Sequence, residues 1–161
     1  FNFTHKLISV VAISLGQVSA TWPYYSGELK TYESFTYGMF RTSMKMSDHD
    51  ATVGTFFSYW EGPNKTDGTW NELDIEIDQV AKSKHGLAPF NTNIHYGDGY
   101  NHLQDHAQEE IANLWDEWHT YEIIWKPDYV QWTVDGKPIR TVNGGAAADY
   151  QTKPQNLFMT Y

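Results

Sequence analysis

The chain has 161 residues, a formal net charge of −9 and no Cys, with 40% hydrophobic and 19% charged residues. Its length suits one domain, and its composition is that of a globular protein rather than of a disordered one. The negative charge argues against nucleic acid or an anionic membrane as a partner, and the absence of Cys excludes disulfides and thiol chemistry.

Residues 1–20 have the pattern of an export signal. Lys6 precedes an apolar run from Leu7 to Leu15, and residues 18–20 are small, as signal peptidase requires. The run is too short to cross a bilayer. We therefore expect a signal peptide over residues 1–20 and a secreted domain over residues 21–161. A buried first strand is the alternative.

The rest of the chain is predicted to form short β-strands separated by turns. Runs rich in strand-forming residues cover residues 33–46, 53–60, 70–80, 119–125, 129–134 and 137–142. Asp135-Gly136 favours a type I′ hairpin turn, which needs positive φ angles. Residues 103–117 show some helical spacing, but Trp115 and Trp118 favour a loop or a short turn. This pattern predicts an all-β sandwich or jelly roll of two curved antiparallel sheets, one with a concave face.

One predicted strand carries three acids that alternate with aliphatic residues. The acids are Glu72, Asp74 and Glu76, and the aliphatic residues are Leu73, Ile75 and Ile77. Because side chains alternate across a strand, the acids project from one face and the aliphatic residues from the other. An ordinary solvent-facing strand would mix basic residues or Thr among the acids, since like charges at neighbouring positions are destabilising.

Three carboxylates on one face repel each other, so at least one is expected to have a raised pKa. Hydrolysis of a glycosidic bond needs two carboxyl groups in different protonation states, one ionised and one protonated. Aromatic residues make up 16% of the chain. They fit sugar stacking as well as they fit a β-sheet core.

The run Glu72-Leu73-Asp74-Ile75-Glu76 resembles the E-[ILV]-D-[ILV]-E motif of glycoside hydrolase family 16, and in particular the bacterial lichenases (endo-β-1,3-1,4-glucanases). Its form without an extra residue favours lichenase or xyloglucan-type members over laminarinases. The likeness extends from about Tyr25 to Phe158 and includes residues 37–40, 56–59, 119–121 and 132–136.

This resemblance implies a concanavalin-like β-jelly roll and a retaining reaction. Glu72 would be the nucleophile, Glu76 the acid/base and Asp74 the assisting acid. The implied substrate-binding residues are Trp70, Phe57, Tyr59, Glu28, Asn93, His95 and Phe158. Four features depart from the lichenase pattern. Lys30, His95 and Phe158 stand where an Arg or aromatic residue, a Tyr and a Trp are usual, and Ile77-Asp78-Gln79 replaces the Phe-x-Gly that usually follows the last Glu.

The order of the predicted strands resembles the circularly permuted members of the family. The family's remaining strands have no counterpart here, so we expect the domain to be incomplete at its C-terminus. A domain that lacks those strands would expose apolar edges and is expected to fold poorly by itself.

The resemblance requires no cofactor for catalysis, although a structural Ca²⁺ is an expectation whose ligands the sequence does not identify. His102 and His106 have the i, i+4 spacing of a metal-binding pair on a helix, but the segment has no evident third ligand and fits a surface loop better. We expect a monomer acting on a polysaccharide, a β-glucan. The alternatives are a family 16 enzyme that hydrolyses or transglycosylates a β-1,3-glucan, xyloglucan or galactan, and a non-catalytic lectin-like module.

Overall fold

The computed structural model describes residues 26–46, 52–62, 69–78, 86–98, 101–115 and 117–161. The predicted signal at residues 1–20 lies outside them. No helix in the described part of the chain is long and apolar enough to cross a membrane.

The described residues form two antiparallel sheets, as predicted. In the larger sheet the strand order is β1-β10-β3-β4-β5-β6, and in the smaller it is β2-β7-β8-β9. The strands are β1 (Glu28–Lys30), β2 (Gly38–Met44), β3 (Val53–Tyr59), β4 (Trp70–Asp78), β5 (Leu87–Asp98), β6 (Asn101–Ala112), β7 (His119–Lys126), β8 (Tyr129–Val134), β9 (Lys137–Asn143) and β10 (Asn156–Thr160). A short helix, α1 (Gly145–Asp149), precedes β10.

The core lies between the two sheets, and its largest fully buried side chains come from β4, β5, β7 and β8. They include Trp125, Trp132, Tyr121, Phe90, Leu73, Ile75 and Ile77. The three aliphatic residues of β4 therefore face the core, as their alternation predicted. Asp135 and Gly136 have φ angles of 51° and 73°, which confirms the tight turn between β8 and β9.

The interpretation of residues 103–117 as a loop was wrong. Most of that segment belongs to β6, which pairs with β5 along its whole length, from Leu87 opposite Ala112 to Asp98 opposite Asn101. Strand β6 lies at an edge of the sheet and is largely exposed, so it lacks the buried, alternating hydrophobic residues by which strands are recognised. Its strand conformation comes from backbone pairing with β5.

Arg140 of β9 connects the two sheets across the core. Its guanidinium donates to the backbone carbonyl and hydroxyl of Thr92 at 3.2 Å each, and to the carbonyl and carboxylate of Asp105 at 3.0 and 2.6 Å. The guanidinium also lies 5.2 Å from the centre of the Trp132 ring. Because the Arg140 side chain is only 13% exposed, these contacts satisfy a nearly buried charge.

Replacing Arg140 by Met is expected to lower the free energy of unfolding by about 2–4 kcal/mol, because the apolar stem remains but buried acceptors lose their donor. Urea unfolding of the full chain measures this. Exposed Lys137 on the same strand provides the control, and Lys137→Ala should change stability by less than about 0.5 kcal/mol. Equal effects of the two substitutions would contradict this role of Arg140.

Candidate active site

The three acids of β4 lie on the face of the larger sheet that points away from the core, and we call this face the cleft face. Their burial differs sharply: Asp74 is 4% exposed, Glu72 is partly buried and Glu76 is exposed. Strand β4 has three strands on one side and two on the other, so its acids lie near the middle of the sheet.

The strand register places side chains of the cleft face in three rows, because residues directly opposite each other share a face. The row of Glu72 contains Asn156, Tyr59, His95 and Gln104. The row of Asp74 contains Lys30, Phe158, Phe57, Asn93 and His106. The row of Glu76 contains Glu28, Thr160, Thr55, Asn91 and Gln108.

Glu72 is held by its neighbour on the same strand. The indole Nε1 of Trp70 donates a hydrogen bond of 2.5 Å to Glu72 Oε2. Burial raises the pKa of Glu72 to about 7, and the carboxylate of Asp74 adds to this rise. The hydrogen bond from Trp70 and the nearby charge of His95 act in the opposite direction. Glu72 therefore exchanges its proton close to neutral pH.

Asp74 is the most buried of the three acids. Burial raises its pKa well above the usual value, the charge of Glu76 raises it further, and a hydrogen bond with Glu72 opposes the rise. Asp74 Oδ2 lies 3.3 Å from His95 Nε2 and has no hydrogen-bond partner among the described residues. At least one of the three acids on β4 therefore has a raised pKa, as expected from their crowding on one face.

Aromatic side chains lie on the β3 and β10 side of the acids. The rings of Phe57 and Phe158 are stacked, with centres 4.8 Å apart and an angle of 8° between them. Tyr59 lies beside Trp70, with ring centres 6.0 Å apart. Phe158 is 5% exposed and has Lys30 Nζ 5.5 Å from its ring, so it supports Phe57 instead of offering an open face to a sugar. Lys30 itself pairs with Glu61.

Polar side chains lie on the opposite side of the acids. Asn93 Nδ2 lies 3.0 Å from His95 Nε2 and donates to Gln104 Oε1 at 3.3 Å. His95 Nδ1 in turn lies 2.8 Å from His102 Nε2. On the cleft face, aromatic rings therefore lie beside the acids on the β3 side, and polar side chains lie beside them on the β5 and β6 side.

The structure brings six of the predicted residues together around the acids: Trp70, Phe57, Tyr59, Asn93, His95 and Phe158. Glu28 is more distant, because it lies in the row of Glu76 but three strands away, at roughly 14 Å from strand spacing. Sequence reasoning missed the β6 residues of this face. The alternation of His102, Gln104, His106 and Gln108 was the available signal.

His102 and His106 do not form the metal pair considered from the sequence. His102 contacts His95, whereas His106 Nε2 lies 3.3 Å from Asn91 Oδ1. Among the described residues, no group of three or more His, Cys, Asp or Glu side chains could hold a metal ion. The predicted structural Ca²⁺ remains a prediction without assigned ligands.

Known proteins share both the sequence pattern and the fold. A family model described as glycosyl hydrolases family 16 matches residues 3–161. A beta-glucanase of Fibrobacter succinogenes is 31% identical over 144 residues, which cover 88% of this chain and 40% of that protein. A beta-glucanase of Bacillus licheniformis is 33% identical over 148 residues, which cover 85% of this chain and 55% of that protein. The chain spans about half the length of these curated relatives.

A solved β-1,3-1,4-glucanase (lichenase) from a mouse hindgut metagenome has the same fold. Its TM-score is 0.67 at 23% identity, and the match covers 88% of this chain and 60% of the solved one. At this identity the likeness concerns the fold alone. It confirms the predicted β-jelly roll.

Replacing Glu72 by Gln is expected to stabilise the protein at high pH only. A pKa raised to about 7 in the folded chain, against 4.5 as the ordinary value, means that ionised Glu72 destabilises the fold. This destabilisation is absent below about pH 4.5 and complete above about pH 7. The amide oxygen of Gln still accepts from Trp70, so the gain should reach about 1–3 kcal/mol at pH 8 and vanish at pH 4.

Chemical unfolding at pH 4 and pH 8 measures this difference. Glu110→Gln, an exposed acid on β6, provides the matched control and should show no such gain at pH 8. A Glu72→Gln variant that is destabilised at pH 8, or equally stabilised at both values, would contradict the raised pKa.

Proposed function

The chain belongs to glycosyl hydrolases family 16, and from that premise we propose that it is a retaining endo-β-glucanase acting on mixed-linkage β-1,3-1,4-glucan. The observation that supports the reaction best is the geometry of β4, which places Glu72 and Glu76 on one face of the sheet with the buried Asp74 between them. The substrate class follows from the beta-glucanases that the chain resembles and from the lichenase form of the acid motif.

In the first step of the proposed reaction, a carboxylate oxygen of Glu72 attacks the anomeric carbon of the sugar. The bond to the leaving oxygen breaks as Glu76 gives that oxygen a proton. The hydrogen bond from Trp70 orients Glu72 and stabilises its ionised form. Asp74, hydrogen-bonded to Glu72, takes part in holding the nucleophile.

In the second step Glu76, now ionised, removes a proton from a water molecule. The water oxygen attacks the anomeric carbon from the other face and displaces Glu72, so the sugar regains its original configuration. Glu76 is the exposed member of the row. Its position suits a group that must first contact the departing chain and then solvent water.

The two sides of the cleft face suit a glucan chain that crosses the strands. Phe57, Tyr59 and Trp70 provide partly exposed rings for the C–H faces of glucose units. Asn93 and His95 are proposed to bind sugar hydroxyls on the other side. Glu28 and Phe158 are proposed to contribute at the outer end of the aromatic side, with Phe158 acting through Phe57.

This reaction uses only the carboxyl groups of β4, so we propose no catalytic cofactor. We further propose a secreted monomer whose residues 1–20 are an export signal. An extracellular location suits an enzyme whose polymeric substrate lies outside the cell.

A panel of β-1,3-1,4-glucan, β-1,3-glucan, xyloglucan and galactan, assayed for released reducing ends, tests the proposed activity. We expect the mixed-linkage glucan to be cleaved best, and Glu72→Gln to lower that rate by at least about a thousandfold, because an amide cannot attack the anomeric carbon. Binding of these glucans without cleavage would favour the lectin-like module. Preferred cleavage of another polymer would replace the proposed substrate.

Glu76→Ala is expected to lose activity on the glucan and to regain it with an activated aryl glycoside and azide. A small anion can attack the covalent intermediate on Glu72 without help from a general base. Because azide replaces Glu72 directly on that intermediate, it attacks from the face that water would use. The glycosyl azide should therefore keep the configuration of the substrate, which NMR spectroscopy can determine. An azide product of inverted configuration would instead assign Glu76 as the nucleophile.

A further inference from the structure

Three aromatic rings form a stack beside the acid row. The indole of Trp70 and the imidazole of His102 have centres 4.3 Å apart and an angle of 26° between them. The rings of His102 and His95 have centres 4.9 Å apart and an angle of 20° between their planes. The stack extends from β4 to β6, the edge strand that the sequence did not identify.

Both ends of this stack contact acids of β4. Trp70 Nε1 donates to Glu72 Oε2 at 2.5 Å, and His95 Nε2 lies 3.3 Å from Asp74 Oδ2. His102 Nε2 lies 2.8 Å from His95 Nδ1, so His102 contacts both of the rings that lie against the acids.

Gly97 lies on β5 between the strands that carry Trp70 and His102. Trp70 lies opposite Gly97, and Gly97 lies opposite His102 on β6. Gly97 has a φ of 112°, a conformation that favours glycine, and a Cβ there would meet the backbone oxygen of Asn101 at 2.0 Å. A side chain at Gly97 would therefore displace the backbone of β6 next to His102.

We propose that His102 is a positioning residue, which holds Trp70 against Glu72 and His95 against Asp74 without touching the reacting atoms. This assignment rests on the proposed function, because it concerns how Glu72 is kept ready for attack. It gives a role to an aromatic ring of an exposed edge strand that stacks on the indole which donates to Glu72.

The pKa of Glu72 should report the loss of His102. The hydrogen bond from Trp70 and the charge of His95 both lower that pKa. If His102 holds both groups in place, its removal weakens both effects, and Glu72 should gain its proton at a higher pH. Besides Glu72, His95 and His102, the titratable side chains that face this site are Asp74 and Glu76 of β4, Tyr59 of β3 and His106 of β6.

The experiment compares the full chain with His102→Ala and His102→Phe. Alanine removes both the stack and the contact with His95, whereas Phe can keep the stack on Trp70. Leu103→Ala is the matched control, because Leu103 is the next residue on β6, is exposed and faces the other side of the sheet. Thermal unfolding establishes that each variant is folded.

The first readout is independent of hydrolysis. The Nε1–H resonance of Trp70, assigned among the seven Trp residues with Trp70→Phe, should lie downfield and titrate with Glu72 in the parent chain. In His102→Ala it should move upfield and titrate about 0.5–1 pH unit higher. An unchanged resonance and midpoint would overturn the positioning role, even if the parent chain cleaves no glucan.

The second readout is the pH dependence of kcat/KM. Its acid limb should shift upward by about 0.5–1 unit in His102→Ala and by less in His102→Phe, which lowers activity at pH 6 by about three- to tenfold. Leu103→Ala should match the parent. A rise in KM alone, with no change in kcat or in the acid limb, would show that His102 binds sugar directly and would overturn the proposal.

Discussion

The site depends on one electrostatic constraint: three carboxyl groups share one face of a strand whose other face belongs to the core. Leu73, Ile75 and Ile77 are fully buried, so β4 cannot rotate to separate the acids. Repulsion and burial destabilise the ionised acids, so protonation must remove the charge or hydrogen bonds must stabilise it. Both responses occur, in the raised pKa values of Glu72 and Asp74 and in the hydrogen bond from Trp70.

The surrounding strands make this unfavourable arrangement stable. Strands β3 and β5 pair with β4 along its length, and the smaller sheet covers its aliphatic face. Arg140 connects β9 with β5 and β6, which links the edge of the cleft to the sheet behind it. Stability lost by crowding the acids is offset by a core of large aromatic and aliphatic side chains. This division of roles is common where chemistry requires a strained or charged group.

The acid face, the core face of β4 and the β8–β9 turn could be predicted from the sequence, because each depends on a short local pattern. Alternation along residues 72–77 indicates both the acid face and the core face, and Asp135-Gly136 predicts its turn. Strands β5 and β6 were not predicted; β6 is an exposed edge strand without a buried, alternating hydrophobic face, and its conformation comes from pairing with β5. His102 belongs to the candidate site because β6 pairs with β5 and so places its ring against the indole of Trp70, and this pairing cannot be read from residues 101–112 alone.

The central claim is that Glu72 is the nucleophile of a double displacement. A fluorinated glucoside with a good leaving group slows the second step, so the covalent intermediate accumulates and can be found by mass spectrometry of peptides. The account predicts one sugar adduct on Glu72, and none in the Glu72→Gln variant. An adduct on Glu76, or cleavage without any adduct and with inversion at the anomeric carbon, would contradict it.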